Sequence, residues 1–274
     1  LIERHNVRWL FQVPTMMHRI MALPLARRQG YDLSRWSAVV HTAAPMAPWL
    51  KLAWIDWLGP DHIWEVYGST EGLVRCWIGG REWMERAGSV GKPLGEGRIR
   101  ILRPDGSEAA PGEVGDIFAM PGGGPGSTYR YIGASPRARH DGWESVGDMG
   151  YCDANGYLFL SDRKIDMIIS GGVNIYPAEI EGVIAVHPGV EDVAVIGVPD
   201  EEFGESVKAL VQVQEGVAES AELAAAIISH CREMLAGYKA PRSVDFVALI
   251  PRTGTGKIQK KPLRAPYWEG HSRK

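Results

Sequence analysis

The chain has 274 residues, of which 45% are hydrophobic and 23% charged, enough for one large core or two smaller ones. A net charge of -3 and an isoelectric point near 6.3 give no reason to expect a polyanion, so we predict no nucleic-acid partner. The cysteines, Cys76, Cys152 and Cys231, are odd in number and lack a CxxC pair, which argues against disulfides or zinc and suits a reducing, cytoplasmic environment.

The first 87 residues alternate helical stretches with short apolar runs, the pattern of an α/β layer. Residues 37–40 are predicted to form a strand that leads into the loop 41–48. Residues 62–67 are predicted to form a second strand, after which Gly68 opens another loop. Ligands collect at the carboxyl ends of strands in such sheets, so we expect both loops to line a ligand site.

Two features of this first part concern its core and its surroundings. Eight of the ten tryptophans fall between Trp9 and Trp83, which predicts a core rich in large side chains. The longest stretch without charged residues runs only from Trp36 to Leu50 and contains two prolines. It is too short to cross a bilayer, so we predict no integral membrane segment.

Residues 88–163 change to a β pattern, with short apolar runs separated by turn residues. Asn155-Gly156 predicts a two-residue type I′ hairpin, because that turn needs positive φ at both central residues. A further strand is predicted at 143–146, directly before Asp148. We expect this part to form a small β-barrel packed on the α/β layer, so that residues 1–163 make up one partial large domain.

Residues 164–274 are predicted to form a separate, mobile α+β domain. Pro177 suits the first turn of a helix that carries Ile180, Val183 and Ile184 on one face. Strands are predicted at 193–198 and 207–213, and a second helix at 221–235. The fold class is therefore α/β with a smaller α+β domain at its carboxyl end.

Chemistry-bearing residues are concentrated in five short motifs. In chain order they are Tyr67-Gly68-Ser69-Thr70-Glu71-Gly72, Gly147-Asp148-Met149-Gly150, Asp162-Arg163, Gly171-Gly172-Val173-Asn174-Ile175-Tyr176-Pro177 and Pro251-Arg252-Thr253-Gly254-Thr255-Gly256-Lys257-Ile258. The first offers a ring on which a purine can stack, hydroxyls for phosphate oxygens, and in Glu71 a hard oxygen ligand for Mg²⁺. Its competing interpretation is a capping box at the start of a helix.

The other motifs also have a functional and a plain structural interpretation. Asp148 can accept both hydroxyls of a ribose, to which Arg163 adds donors, or it is a turn-forming aspartate. Gly171 and Gly172 allow a ligand to approach the backbone, or they form an ordinary loop. Lys257 can lie between two reacting anions, or it is a solvated surface lysine. A phosphate-loop interpretation of Lys257 fails because Pro251 and Ile258 break that motif.

The ordered set resembles the adenylate-forming enzymes, which include acyl-CoA synthetases, luciferases and the adenylation domains of peptide synthetases. The resemblance covers about residues 1–264. It implies a nucleotide site that includes Gly68 and Ser69. In this site Tyr67, Ala43 and Ala44 contact adenine, and Asp148 and Arg163 bind the ribose. Thr70 binds the α-phosphate and Glu71 binds Mg²⁺. It also implies that Gly171 and Gly172 line the tunnel for coenzyme A and that Lys257 is the lysine of adenylate formation.

The resemblance implies an ATP-dependent ligase that joins a small carboxylic acid to coenzyme A, with Mg²⁺. The family's upstream phosphate loop has no counterpart here, so we expect this chain to be a C-terminal part that is inactive alone. Its exposed sheet edge should favour self-association, and a homodimer is the candidate assembly. The family's hinge position is Ile165, a stiff β-branched residue. Tyr129 to Ala134 resembles the bile-acid and fatty-acid branch, which implies steroid-type or medium-to-long acyl acids.

Three alternatives stay open at this point. A peptide-synthetase adenylation domain would need a carrier domain after Lys257, and only two residues follow Gly270-His271-Ser272. A luciferase-like oxygenase shares the same motifs. A non-catalytic remnant would bind a nucleotide or a partner chain without turnover.

Overall fold

The computed structural model of the protein describes residues 1–133, 135, 141–145, 147–254 and 256–271. Thr255 of the lysine motif, Ala134 of the acid-branch run, Val146 of a predicted strand and Ser272 lie outside the described residues. The chain divides into two compact units, Leu1–Ser161 and Asp162–Lys274. This division falls two residues before the boundary predicted after residue 163.

The first unit contains most of the large sheet and four helices among its described residues. Its strands are β1 (Trp9–Gln12), β2 (Ala38–His41), β3 (Ile63–Gly68), β4 (Arg75–Gly79), β5 (Ser89–Pro93), β6 (Arg98–Leu102), β7 (Gly115–Met120), β8 (Asp148–Cys152) and β9 (Leu158–Arg163). Its helices are α1 (Pro14–Met21), α2 (Leu25–Gln29), α3 (Pro48–Leu58) and α4 (Gly80–Glu85), with a short 3₁₀ helix at Pro60–His62.

The nine strands follow the order β1-β2-β3-β4-β5-β9-β8-β7-β6. β1, β2 and β3 run parallel, so the loops after β2 and β3 leave the same edge of the sheet, as predicted. The part predicted as a small barrel continues this sheet, because β5 pairs with β4 on one side and with β9 on the other. Among the described strands the path ends at β6 without returning to β5.

Two local predictions for this unit are wrong. Asn155-Gly156 does not form a type I′ turn, because only Gly156 has a positive φ, of 80°. Instead the Gly156 N–H donates to the Asp153 carbonyl at 3.0 Å in a longer loop between β8 and β9. Asp148 begins β8, and in the described part of the predicted strand, residues 143–145, Glu144 makes an isolated bridge to Ala119 rather than a strand.

Tryptophans fill much of the core of the first unit. Trp36, Trp54 and Trp83 are 5%, 0% and 2% exposed, and the rings of Trp36 and Trp54 meet edge to face at 6.1 Å. Trp9 is an exception to the predicted core, since its side chain on the edge strand β1 is 61% exposed. No helix in the described part of the chain is long and apolar enough to cross a bilayer.

The second unit consists of a smaller sheet with helices on it. Its strands are β10 (Ile168–Ser170), β11 (Val173–Ile175), β12 (Val190–Asp200), β13 (Gly204–Val213) and β14 (Ser243–Phe246). Its helices are α5 (Pro177–Ile184), α6 (Ala221–Met234) and α7 (Lys260–Arg264), followed by a 3₁₀ helix at Ala265–Trp268. The strand order is β11-β10-β13-β12, with β14 parallel to β13.

The two helices predicted for this unit are confirmed, and buried side chains and a capping residue account for their positions. α5 begins at Pro177 and fully buries Ile180 and Ile184. α6 begins after Ser220, whose hydroxyl caps it by accepting the N–H of Leu223 at 3.2 Å. β12 is buried on both faces, because Val193 packs under the helices and Ala194 packs on the opposite side. β10, β11, β14 and α7 were not predicted.

Candidate functional site

The loop after β2 is anchored to both neighbouring strands through Thr42. The Thr42 hydroxyl donates to the Val66 carbonyl on β3 at 2.7 Å, and the Thr42 N–H donates to the Gln12 carbonyl on β1 at 3.2 Å. Ala43 follows with a φ of 77°, a left-handed conformation that is uncommon for alanine. The predicted adenine loop, Ala43 and Ala44, is therefore held in one defined backbone shape. Its contact with a base stays a prediction.

Two predicted nucleotide residues, distant in sequence, meet in the first unit. The Tyr67 hydroxyl donates to Asp148 Oδ2 at 2.8 Å, although 81 residues separate them. Tyr67 is near the carboxyl end of β3, and Asp148 begins β8, which is not its neighbour in the sheet. The contact joins the candidate adenine residue to the candidate ribose residue.

The turn after Tyr67 is not the start of a helix. The Ser69 carbonyl accepts the Gly72 N–H at 3.0 Å, and β4 then begins at Arg75. The capping-box interpretation of this motif is therefore wrong. Gly68 ends β3, Ser69 is half-buried, and Thr70 is exposed in the turn.

Glu71 is the candidate metal ligand in this turn. One of its carboxylate oxygens, Oε1, accepts the hydroxyl of Tyr131 at 2.8 Å. Within the described residues there is no group of three or more His, Cys, Asp or Glu side chains that could hold a metal ion. The single carboxylate of Glu71 nevertheless fits Mg²⁺, because this ion is commonly bound through one or two carboxylates together with phosphate oxygens and water.

A buried ionic cluster lies beside these loops and was not predicted. Lys51 on α3 is 0% exposed, and its Nζ donates to Glu65 Oε2 at 2.6 Å. The same ammonium lies 4.8 Å from the centroid of the Trp83 ring. His41, opposite Glu65 in the β2–β3 ladder, has its Nε2 3.6 Å from Glu65 Oε2.

Burial lowers the pKa values of two groups in this cluster. It lowers the pKa of His41 to about 4, against an opposing effect of Glu65, so the ring is neutral near pH 7. Burial also lowers the pKa of the Lys51 amine, and Glu65 opposes that shift. Neither ring nitrogen of His41 hydrogen-bonds to a described residue. The sequence carried no clear signal for the burial of Lys51, because α3 is apolar at almost every position, including Leu52, which is 42% exposed.

In the second unit, Gly171 and Gly172 form the two-residue turn of a β-hairpin. In the β10–β11 ladder Ile168 pairs with Ile175 and Ser170 pairs with Val173, so only the two glycines lie between the strands. Their φ angles are 57° and 80°, the positive values that a type I′ turn requires. Both are exposed, and a Cβ on Gly172 would meet nothing within 4 Å. The exposed backbone can approach a ligand closely, as the motif predicted.

Lys257 lies on a short hairpin in the second unit. Arg252 and Ile258 form an antiparallel bridge, and the Thr253 N–H donates to the Lys257 carbonyl at 2.9 Å. Arg252 anchors this hairpin, since its guanidinium pairs with Asp192 on β12 at 2.7 Å and donates to the Gly256 carbonyl at 2.7 Å. The predicted mobile loop is thus fastened at its base, and Lys257 is half-buried.

Arg163 ends β9 and is exposed. Its carbonyl accepts the N–H groups of Asp166 and Met167 at 2.9 and 3.1 Å, which forms a turn around the exposed Ile165. Arg163, Gly171, Gly172 and Lys257 all belong to the second unit, whereas Tyr67, Glu71 and Asp148 belong to the first. The roles of all these residues stay predictions.

Two protein-family profiles match the chain. The profile described as AMP-binding enzyme matches residues 1–129, and the AMP-binding enzyme C-terminal domain matches residues 179–257. Among curated proteins, a feruloyl-CoA synthase from Amycolatopsis sp is 38% identical over 97% of this chain and 53% of its own length. The medium/long-chain-fatty-acid–CoA ligase FadD8 of Mycobacterium tuberculosis is 32% identical over 100% of this chain and 48% of its own length.

Solved structures agree with these matches. The amide bond synthetase McbA from Marinactinospora thermotolerans superposes with a TM-score of 0.84 at 30% identity, over 97% of this chain and 53% of that one. The chain spans about half the length of the curated relatives it matches. The mixed α/β architecture predicted from the sequence is confirmed by this likeness.

Proposed function

The chain belongs to the AMP-binding enzyme family, and from this premise we propose that the protein is an ATP-dependent ligase that joins a carboxylic acid to coenzyme A. In the first step the carboxylate attacks the α-phosphorus of ATP, which forms an acyl-adenylate and releases pyrophosphate. In the second step the thiol of coenzyme A attacks the acyl carbon and AMP leaves. The contact between Tyr67 and Asp148 carries the proposal, because it joins two motif residues that a nucleoside would need together.

In this proposal the residues of the first unit bind and orient the nucleotide. The Tyr67 ring stacks on adenine while its hydroxyl holds the Asp148 carboxylate, which accepts the ribose hydroxyls. Thr70 donates to the α-phosphate. Glu71 supplies an oxygen to Mg²⁺, whose charge offsets the negative charge of the phosphates.

We propose that the substrate is a hydrophobic carboxylic acid. Alkyl acids and aryl acids are the two candidate classes. The relatives of this chain include both a feruloyl-CoA synthase and a medium/long-chain fatty-acid ligase. The resemblance of the run that begins at Tyr129 favoured the alkyl or steroid class. The thiol acceptor has a rival, because the similar McbA is an amide bond synthetase, for which an amine is the acceptor.

An assay of both steps tests the proposed function. The protein at its full encoded length is incubated with ATP, Mg²⁺ and a panel of alkyl, steroid and aryl acids, and pyrophosphate release is measured. Coenzyme A or a primary amine is then added, and the thioester or amide is quantified. We expect acid-dependent pyrophosphate release and thioester, both lost in Asp148→Ala. The proposal fails if no acid releases pyrophosphate, and amide without thioester favours the rival acceptor.

We also propose a cytoplasmic location and a homodimer. The described cysteines are all free thiols, which suits a reducing compartment. In this chain, Trp9 and Phe11 on the edge strand β1 are 61% and 57% exposed, which favours self-association of residues 1–274. Sedimentation velocity across a concentration series would distinguish a dimer from a monomer.

The Gly171-Gly172 turn is proposed to act only in the second step. Gly172→Leu adds a branched side chain to an exposed backbone with a φ of 80°, where pantetheine would approach. We expect thioester formation from supplied acyl-adenylate to slow by about 10- to 100-fold, since small misplacements at a reacting centre have effects of that size. Acyl-adenylate formation should persist.

Gly172→Asn is the matched control for backbone strain. Asparagine tolerates the left-handed region, so this variant keeps the turn while adding a smaller side chain. We expect it to retain more of the second step than Gly172→Leu. If both steps fall equally in Gly172→Leu, the glycine serves folding rather than coenzyme A binding.

A further inference from the structure

A tyrosine from a distant segment holds the candidate metal ligand. The Tyr131 hydroxyl donates to Glu71 Oε1 at 2.8 Å across 60 residues of sequence. This hydrogen bond is charge-assisted, and by accepting it the Glu71 carboxylate raises the pKa of the Tyr131 phenol. Neither the sequence motifs nor the proposed function assigns a role to Tyr131.

Tyr131 is itself held in place, although its side chain is 39% exposed. Its ring meets Tyr129 edge to face, with centroids 4.8 Å apart and planes at 74°. The Tyr129 hydroxyl donates to Glu144 Oε2 at 2.6 Å, and Glu144 is only 4% exposed. The Glu144 backbone exchanges two hydrogen bonds with Ala119 on β7, at 2.7 and 3.0 Å.

These contacts form a continuous support from a buried strand to the carboxylate. Because β7 fixes Glu144, Glu144 fixes Tyr129, and Tyr129 packs on Tyr131, the hydroxyl of Tyr131 is oriented before any ligand binds. A preorganised donor loses little side-chain freedom when the site is occupied. A pair of exposed side chains without this support would contribute little.

The bond to Oε1 restricts how Glu71 can coordinate a cation. Coordination of a cation by both carboxylate oxygens needs Oε1, one of whose lone pairs already accepts the hydrogen bond from the Tyr131 hydroxyl. Ca²⁺ readily takes carboxylates in this bidentate mode with six to eight ligands, whereas the smaller Mg²⁺ demands near-octahedral geometry. We propose that Tyr131 is a specificity-determining positioning residue that makes Glu71 a one-oxygen ligand and so favours Mg²⁺ over Ca²⁺.

The inference rests on the proposed function, and a binding measurement tests it without turnover. Calorimetry on the protein at its full encoded length gives the affinity for a non-hydrolysable ATP analogue with Mg²⁺ and, separately, with Ca²⁺. We expect Tyr131→Phe, which keeps the ring but lacks the hydroxyl, to shift the Mg²⁺-to-Ca²⁺ affinity ratio toward Ca²⁺ by about tenfold, the scale of one hydrogen bond to a charged group.

A matched control comes from the same unit. Tyr157 also donates its hydroxyl to a carboxylate, that of Glu82, outside the candidate site. Tyr157→Phe should leave the metal ratio unchanged. Tyr131→Leu, which lacks the hydroxyl and the ring, provides a second variant and should shift the ratio in the same direction as Tyr131→Phe.

The outcomes separate this inference from the proposed function. Nucleotide binding with an unchanged ratio in Tyr131→Phe overturns the inference and leaves the proposed function standing. A shift in Tyr131→Leu alone also overturns it, because ring packing and not the hydroxyl would then be responsible. Absence of nucleotide binding by the unsubstituted protein with either metal overturns both.

Discussion

Replacing Lys257 by alanine should slow acyl-adenylate formation by about 10²- to 10³-fold, the loss that follows removal of one well-placed charge contact in a transition state. The carboxylate and the α-phosphate are both anionic, and a cation between them offsets their repulsion as they meet. The same variant should convert supplied acyl-adenylate and coenzyme A to thioester at a near-normal rate. Single-turnover measurements of each half-reaction, on the protein at its full encoded length, separate the two effects.

The structure offers a matched control for this prediction. Lys261, at the second position of α7, is an exposed lysine a few residues further along the chain. Lys261→Ala removes the same charge from the same region and should leave both steps unchanged. If Lys257→Ala and Lys261→Ala behave alike, or if Lys257→Ala loses both steps equally, Lys257 does not act in the adenylation transition state.

The regular elements of the second unit were the most predictable part of the fold. A proline followed by apolar residues at helical spacing indicated α5, the apolar run 193–198 indicated β12, and the alternation over 207–213 indicated β13. The β10–β11 hairpin was missed because each strand has only three residues, too few for a periodicity to be recognised. Gly171-Gly172 is a dipeptide typical of type I′ turns and forms a two-residue hairpin turn here. Asn155-Gly156 is also typical of such turns but does not form one.

The candidate site was predictable in its motifs but not in its contacts. Tyr67 and Asp148 each stood out by local chemistry, yet nothing in the sequence indicated that their side chains would meet. The same holds for Tyr131 and Glu71, whose contact depends on how the segment after β7 folds back on the turn after β3. Such pairs depend on sheet order, and strand order β5-β9-β8-β7-β6 is not encoded by any local pattern.

Lys51 shows a different limit of sequence interpretation. Lysine is almost never fully buried unless it is paired, so the burial of Lys51 on α3 requires a partner that the sequence does not identify. Glu65 has that role, and it pairs in the β-ladder with His41, the residue that precedes the predicted adenine loop. The ion pair therefore links α3 to β3 two residues before Tyr67, at the ladder position opposite His41, with which β2 ends.

Lys51→Met should lower the free energy of unfolding by about 3 to 5 kcal/mol, because it leaves the Glu65 carboxylate buried without its partner. Methionine has a similar length, so the variant tests the charge rather than the volume. Denaturant unfolding followed by tryptophan fluorescence measures the change, since Trp83 lies against the Lys51 ammonium. As a surface control, Arg81→Met breaks the exposed pair with Asp61 and should change stability little, because solvent screens that pair.

The double variant Lys51→Met with Glu65→Leu decides what the pair contributes. Replacing both charges by apolar side chains removes the unpaired carboxylate, and buried pairs replaced in this way are often neutral or more stable. We therefore expect the double variant to recover most of the stability lost in Lys51→Met. Its nucleotide affinity should nevertheless stay below that of the unsubstituted protein, because the pair also holds Glu65, which lies two residues before Tyr67 on β3 and opposite His41 in the ladder. Recovery of stability together with full nucleotide affinity would show that the pair has no part in shaping the candidate site.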